Sequence, residues 1–136
     1  MQQQNKQDSP ACHWTQRRAQ EFAVADDLRV SPFYSDGRTY GTPTWIWSVV
    51  VAGRLYARAW HGQQSSWYQA AVQQRGGRIH LSGHNFKVTF AAVTGDAKLL
   101  AQIDAAYREK YAASAYLLPM LQARPRSATV EILPTN

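Results

Sequence analysis

The residues with the most chemical promise lie between 39 and 68. They are Thr39-Tyr40-Gly41-Thr42-Pro43-Thr44-Trp45-Ile46-Trp47, a return segment carrying Arg58, and the loop Gly62-Gln63-Gln64-Ser65-Ser66-Trp67-Tyr68. A flat redox ring with a phosphorylated tail asks for three things: small side chains and backbone groups along a strand for the ring, a cation for the phosphate, and hydroxyls with free N–H groups at a helix start for the remaining oxygens. Thr42, Pro43 and Thr44 can supply the first, Arg58 the second, and Ser65 and Ser66 the third. The same residues have a purely architectural reading. Thr and Trp are good strand formers, Arg58 suits a solvated strand position, and Ser65 or Ser66 suits a helix cap. Residue types alone leave both readings open.

Other chemistries find less support. The chain has no Gly-rich dinucleotide fingerprint, no phosphate loop ending in Gly-Lys-Ser/Thr, no His-Glu-x-x-His and no Gly-x-Ser-x-Gly elbow. Of its four histidines only His80 and His84 lie close in sequence, across a predicted turn, and no metal site is expected. Cys12 is the only cysteine, so no internal disulfide forms.

The elements that must position the 39–68 residues can be read from pattern. Thr15 caps a short helix, and alternation over 28–34 followed by Ser35-Asp36-Gly37-Arg38 reads as a strand and a hairpin turn. The run 39–52 reads as one strand, apolar on both faces from Trp45 onward and therefore central in the sheet. Ala52-Gly53-Arg54 turns the chain into a strand over 55–60, completing a three-stranded meander. A helix over 67–74 ends at Gly76-Gly77, and strands over 78–82 and 86–93 follow, separated by Gly83-His84-Asn85. Asp96 opens the longest helix, with Leu99, Leu100, Ile103, Tyr107 and Tyr111 in one stripe and Asp104 pairing with Arg108 on the other side. A connecting segment over 116–126 then leads to a closing strand over 127–133.

With 136 residues, 45% of them hydrophobic, the chain suits one domain over 14–136 behind a polar tail over 1–13. The 15 Lys and Arg outnumber 9 Asp and Glu, giving +6, which favours an anionic partner without naming it. No secretory signal is visible, and the longest apolar stretch, 43–52, falls short of the ~20 residues of a membrane span. A soluble cytoplasmic protein is expected.

Five ordered motifs carry a family resemblance: Asp36-Gly37-x-x-x-x-Thr42-Pro43, Gly53-Arg54-Leu55-Tyr56, Ser66-Trp67-Tyr68, Gly76-Gly77-Arg78-Ile79, and the final Ala128-Thr129-Val130-Glu131-Ile132-Leu133-Pro134. Over 28–134 the sequence resembles the FMN-binding split β-barrel superfamily, whose members include pyridoxamine phosphate oxidase-like and deazaflavin-dependent nitroreductase-like proteins, and within it an uncharacterised bacterial branch with a Tyr-Gly-Thr-Pro-Thr-Trp strand. The resemblance implies a mainly β fold with α elements (α+β), an antiparallel split β-barrel of six or seven strands with flanking helices, and a homodimer. It implies an oxidoreductase that uses FMN or an 8-hydroxy-5-deazaflavin coenzyme on a small organic acceptor. Matched position by position, Thr42, Pro43, Thr44, Arg58, Trp60, Gln64, Ser65, Ser66 and Trp67 would hold the cofactor, and Tyr40 and Tyr68 the substrate. Together with Trp45 and Trp47, the aromatic members of this set would wall a flat apolar pocket.

One departure stands out. The phosphate loop of the family commonly carries Lys or Arg, whereas here it reads His61-Gly62-Gln63-Gln64-Ser65-Ser66, leaving the phosphate to hydroxyls, amides, Arg58 and His61. A non-catalytic binder of a flavin, haem or other flat anion on the same barrel is therefore a second reading. A third, nucleic-acid binding, rests on +6 and on aromatics interleaved with Arg54, Arg58, Arg75 and Arg78.

Overall fold

Local signals set the elements of the computed structural model, which describes residues 13–135; the expected tail therefore lies, apart from His13, outside the described residues. Thr15 caps α1 (Gln16–Val24), its hydroxyl accepting from the Arg18 N–H at 3.1 Å. After β1 (Arg29–Pro32) the Asp36-Gly37 turn forms as expected: the Asp36 carboxylate accepts from the backbone N–H groups of Arg38 and Thr39, both at 2.9 Å. Strands β2 (Thr44–Trp45), β3 (Ser48–Val51) and β4 (Arg54–Arg58) follow, β3 and β4 joined through Ala52 and Gly53 at φ 52° and 79°, the paired left-handed geometry of a tight hairpin. Helix α2 (Ser66–Gln74) leads to β5 (Gly76–Leu81) and β6 (His84–Ala92), then α3 (Ala97–Lys110), two one-turn helices, α4 (Leu117–Met120) and α5 (Ala123–Arg126), and β7 (Thr129–Pro134).

The seven strands form one antiparallel sheet in the order β2-β1-β5-β6-β7-β4-β3. The stretch 39–52 is thus not one central strand. It breaks at Ile46-Trp47 into β2 and β3, which occupy the two opposite edges of the sheet. Laid flat, seven strands would hold those edges about 29 Å apart, yet the link from Trp45 to Ser48 can reach only roughly 10 Å. The sheet must curl until its edges meet, and the result is a half-barrel whose hydrogen-bonded ladder is split while the chain itself crosses the split. At the break Ile46 packs toward the barrel interior and Trp47 toward α3.

Two further expectations are corrected. Arg75, in the left-handed conformation at φ 62°, ends α2, while Gly76 and Gly77 open β5. Gly77 lies so close to β1 that a Cβ there would come within 2.5 Å of the Ser31 carbonyl oxygen, so its small size serves strand contact. The segment 116–126 contains α4 and α5, where Pro119 and Pro125 lie in first turns that use no N–H. The closing strand expected over 127–133 is β7, and it lies between β6 and β4.

Two packed layers result. Leu28, Val30, Leu55, Ala57, Ile79, Leu81, Val88, Phe90, Val130 and Ile132 fill the curled sheet, joined by Phe22 from α1 and Trp67, Tyr68 and Ala71 from α2. On the opposite face of β3 and β4, Val49 and Tyr56 meet Ile103 and Tyr107 of α3 and Met120 of α4. Asp96 caps α3 by accepting from the Leu99 N–H at 3.0 Å. No helix among the described residues is long and apolar enough to cross a membrane.

Candidate functional site

The split in the barrel opens a cavity of about 350 Å³, lined by Trp45, Ile46, Trp47, Arg58, Trp60, Tyr116 and Met120. Its aromatic walls face water: Trp45 is 68% exposed, Trp60 42% and Tyr116 64%. Each ring is fixed from behind. Trp47 stacks on Tyr111 with ring centroids 4.0 Å apart and planes 4° from parallel, Trp60 meets Tyr116 edge to face at 5.7 Å, and the Trp45 indole N–H donates to the Asp26 carbonyl at 2.9 Å.

Arg58 forms the floor while exposing no surface of its own. Its Nε donates to Thr129 Oγ1 at 3.0 Å, Nη1 to Asp104 Oδ1 at 2.6 Å and to the Met120 carbonyl at 3.4 Å, and Nη2 to the Leu100 carbonyl at 3.2 Å. The Tyr107 ring lies 5.2 Å from the guanidinium carbon. Asp104 therefore does not pair with Arg108 along α3, because a fully buried guanidinium needs a counter-charge far more than an exposed one does. Arg126 Nε also meets Asp104, at 3.1 Å to Oδ2. Two guanidinium groups thus share one carboxylate beneath the cleft, and of the three groups only Arg58 lines it.

A second polar junction braces the same wall. Lys110 Nζ donates to the carbonyls of Phe22 (3.3 Å), Ala25 (2.6 Å) and Ser48 (2.8 Å), tying α1, α3 and β3 together. Burial pushes the Lys110 ammonium down to about 8, against the opposing pull of Asp26 and Asp27. The Tyr111 hydroxyl donates to the Ser48 carbonyl at 3.1 Å and accepts from the Ser48 N–H at 3.2 Å; burial pushes it up to about 12. Burial likewise raises Tyr107.

Of the residues singled out from sequence, the structure brings Arg58 and Trp60 into the cleft, beside Trp45 and Trp47. The others stand elsewhere. Thr42 is exposed, its hydroxyl 3.1 Å from that of Tyr34, and Thr44 Oγ1 donates to the Thr42 carbonyl at 3.4 Å. Pro43 walls a separate notch. Tyr40 stacks on Phe33 at 5.1 Å. Gln64 and Ser66 are exposed, and Ser65 is the cap residue of α2 without a side-chain cap bond. Trp67 and Tyr68, 8% and 6% exposed, are part of the barrel core. Asp104, Arg126, Tyr116 and Met120 were not marked by the sequence: Asp104 is 46 positions from Arg58, and Tyr116 and Met120 come from what reads as a connector.

These features define a class: an α+β protein whose seven antiparallel strands curl into a half-barrel, with an aromatic cleft at the split. The chain belongs to a bacterial family described as "Uncharacterized protein conserved in bacteria (DUF2255)", whose model matches residues 18–132. No curated protein matches it. The crystal structure of conserved hypothetical protein Rv2991 from Mycobacterium tuberculosis is similar in fold, with a TM-score of 0.58 at 13% identity over 93% of this chain and 82% of that one.

Proposed function

We propose that the protein binds a flat, anionic aromatic ligand of the flavin or deazaflavin kind in the cleft at the barrel split. The observation that carries this reading is the cleft itself: Trp45, Trp47, Trp60 and Tyr116 around a 350 Å³ space floored by Arg58, which is ion-paired with Asp104. Its volume falls among ligand pockets, and each well-placed ring contact is worth about 1 kcal/mol beyond the area it buries. The excess guanidinium charge supplied by Arg58 and Arg126 over Asp104 matches an anionic ligand. Titration with FMN and with a deazaflavin coenzyme, followed by quenching of tryptophan fluorescence, tests the reading. Saturable binding is expected, weakened about tenfold or more by Trp60→Ala; because Trp60 is only 42% exposed, the melting curve of the variant is compared with that of the parent. Absence of quenching by either ligand would overturn it.

A second reading, an oxidoreductase acting on a small organic acceptor, is favoured by the resemblance of residues 28–134 to flavin- and deazaflavin-using reductases. In that case the ring carries the hydride and the chain orients the acceptor. Acceptor-dependent oxidation of a reduced deazaflavin or of NAD(P)H with bound flavin separates turnover from binding alone.

A further inference from the structure

On the face of the sheet away from the barrel core, cross-strand pairing gathers cations. Arg29 and Ser31 of β1 stand opposite His80 and Arg78 of β5, and these stand opposite Asn85 and Lys87 of β6. The intervening residues Val30 and Ile79 point the other way, into the core. Arg29, Ser31, Pro43, Arg78, Ile79, His80 and Asn85 enclose a notch of about 190 Å³. Neither Arg29 nor Arg78 is ion-paired among the described residues. Arg78 is nonetheless held in place, its guanidinium carbon 4.4 Å from the centroid of the Tyr40 ring. His80 Nδ1 lies 2.9 Å from Asn85 Oδ1, which orients the imidazole. The nearby carboxylate, Asp27, stands 3.7 Å from His80 Nε2 and accepts from the Ser82 and Gly83 N–H groups at 2.8 and 3.1 Å. Ser31 is only 3% exposed and adds a hydroxyl to the wall.

We propose that this notch is a binding site for a small oxyanion, a phosphate or the phosphate of a monoester. Two guanidinium forks on adjacent strands, without a carboxylate partner of their own, repel one another until an anion comes between them, and a tetrahedral oxyanion accepts from both at once. The Ser31 hydroxyl and the Asn85 side-chain NH2, whose oxygen is taken by His80, offer further polar contacts. Pro43 and Asn85 also line the notch, whose volume of about 190 Å³ suits a single anionic group better than a polymer backbone. The notch shares no lining residue with the aromatic cleft, although Arg29 stands opposite Trp45 across β1 and β2, and neither reading depends on the other.

The test is calorimetric titration with inorganic phosphate and, separately, with glycerol 3-phosphate, at ionic strength held constant with chloride. Saturable binding of at least one is expected, weakened about tenfold or more in Arg29→Gln and in Arg78→Gln and unchanged in Arg17→Gln, an exposed arginine on α1. Tighter binding of the monoester assigns the site to a phosphorylated ligand, and tighter binding of inorganic phosphate assigns it to the free ion. Arg78→Gln also loses the contact with Tyr40, so its melting curve is compared with that of the parent; if it does not fold, Arg29→Gln decides alone. Equal weakening in all three variants would reduce the effect to general charge and overturn the proposal. So would binding of a single-stranded oligonucleotide through Arg29 and Arg78 with neither phosphate bound, which would make the face a polyanion surface.

Discussion

The two packed layers of this molecule are built on different terms. Inside the curled sheet, Leu55, Ile79, Leu81, Val130 and Ile132 are aliphatic side chains excluded from water, and their contribution scales with the area they bury. Beneath α3, apolar contacts share space with groups that are costly to bury: Arg58 with no exposed surface, Lys110 on three carbonyls, and two buried hydroxyls, those of Ser48 and Tyr107, without a hydrogen-bond partner among the described residues. The interior holds the fold together. The outer layer gives up stability and in return fixes Trp47, Arg58 and Met120, three of the residues that line the cleft.

That contrast can be broken at its charged centre first. Asp104→Ala leaves Arg58 buried without its counter-charge and is expected to cost about 4 kcal/mol in urea denaturation, whereas the double replacement Arg58→Met with Asp104→Leu recovers most of the loss. A cost below 1 kcal/mol for the single variant would mean that the pair is dispensable. In the interior, Ile132→Ala is expected to cost about 3 kcal/mol by cavity formation, and replacing a second residue there should bring no comparable rescue. Tyr107→Phe removes a buried hydroxyl that makes no well-formed hydrogen bond among the described residues, so a gain of about 1 kcal/mol is expected; a loss would assign the nearby Arg58 backbone as its partner.

The pH dependence of stability sharpens the same contrast. Lys110 titrates near 8 in the folded state and near 10.5 when unfolded, so between these values the unfolded chain holds more protons and stability rises with pH. Tyr111, pushed up to about 12, has the opposite effect: above pH 10 the unfolded tyrosine ionises while the folded one keeps its proton, and stability falls. Melting temperatures of the parent should climb from pH 8 toward 10 and then decline, and Lys110→Met should lose the climb while keeping the decline.

Much of the fold could be read locally. Thr15 and Asp96 announced their helices, and Asp36-Gly37 and Gly53 announced turns, because caps and left-handed positions act within three or four residues. The break at Ile46-Trp47 could not be read, since a run of strand-forming residues carries no mark of where one ladder hands over to another. The same limit hid the partner of Arg58. Asp104 had a plausible neighbour four residues away in Arg108, and only the packing of α3 on β4 makes Arg58 its mate. Of the candidate site, Arg58, Trp60, Trp45 and Trp47 were legible as residue types; that they gather at the split, while Trp67 and Tyr68 serve the core, depends on the curl of the sheet.

The place of β7 between β6 and β4 has a consequence for the birth of the chain. Until residues 129–134 are available for pairing, the strands before them can form only two separate ribbons, β2-β1-β5-β6 and β4-β3, joined along the chain by Ile46-Trp47 and by the segment 59–75 that carries α2. During that interval the nine-residue β6 and the five-residue β4 each present an unpaired edge, a template for any extended segment nearby. The hazard ends in one step, when a single late strand zips both edges at once.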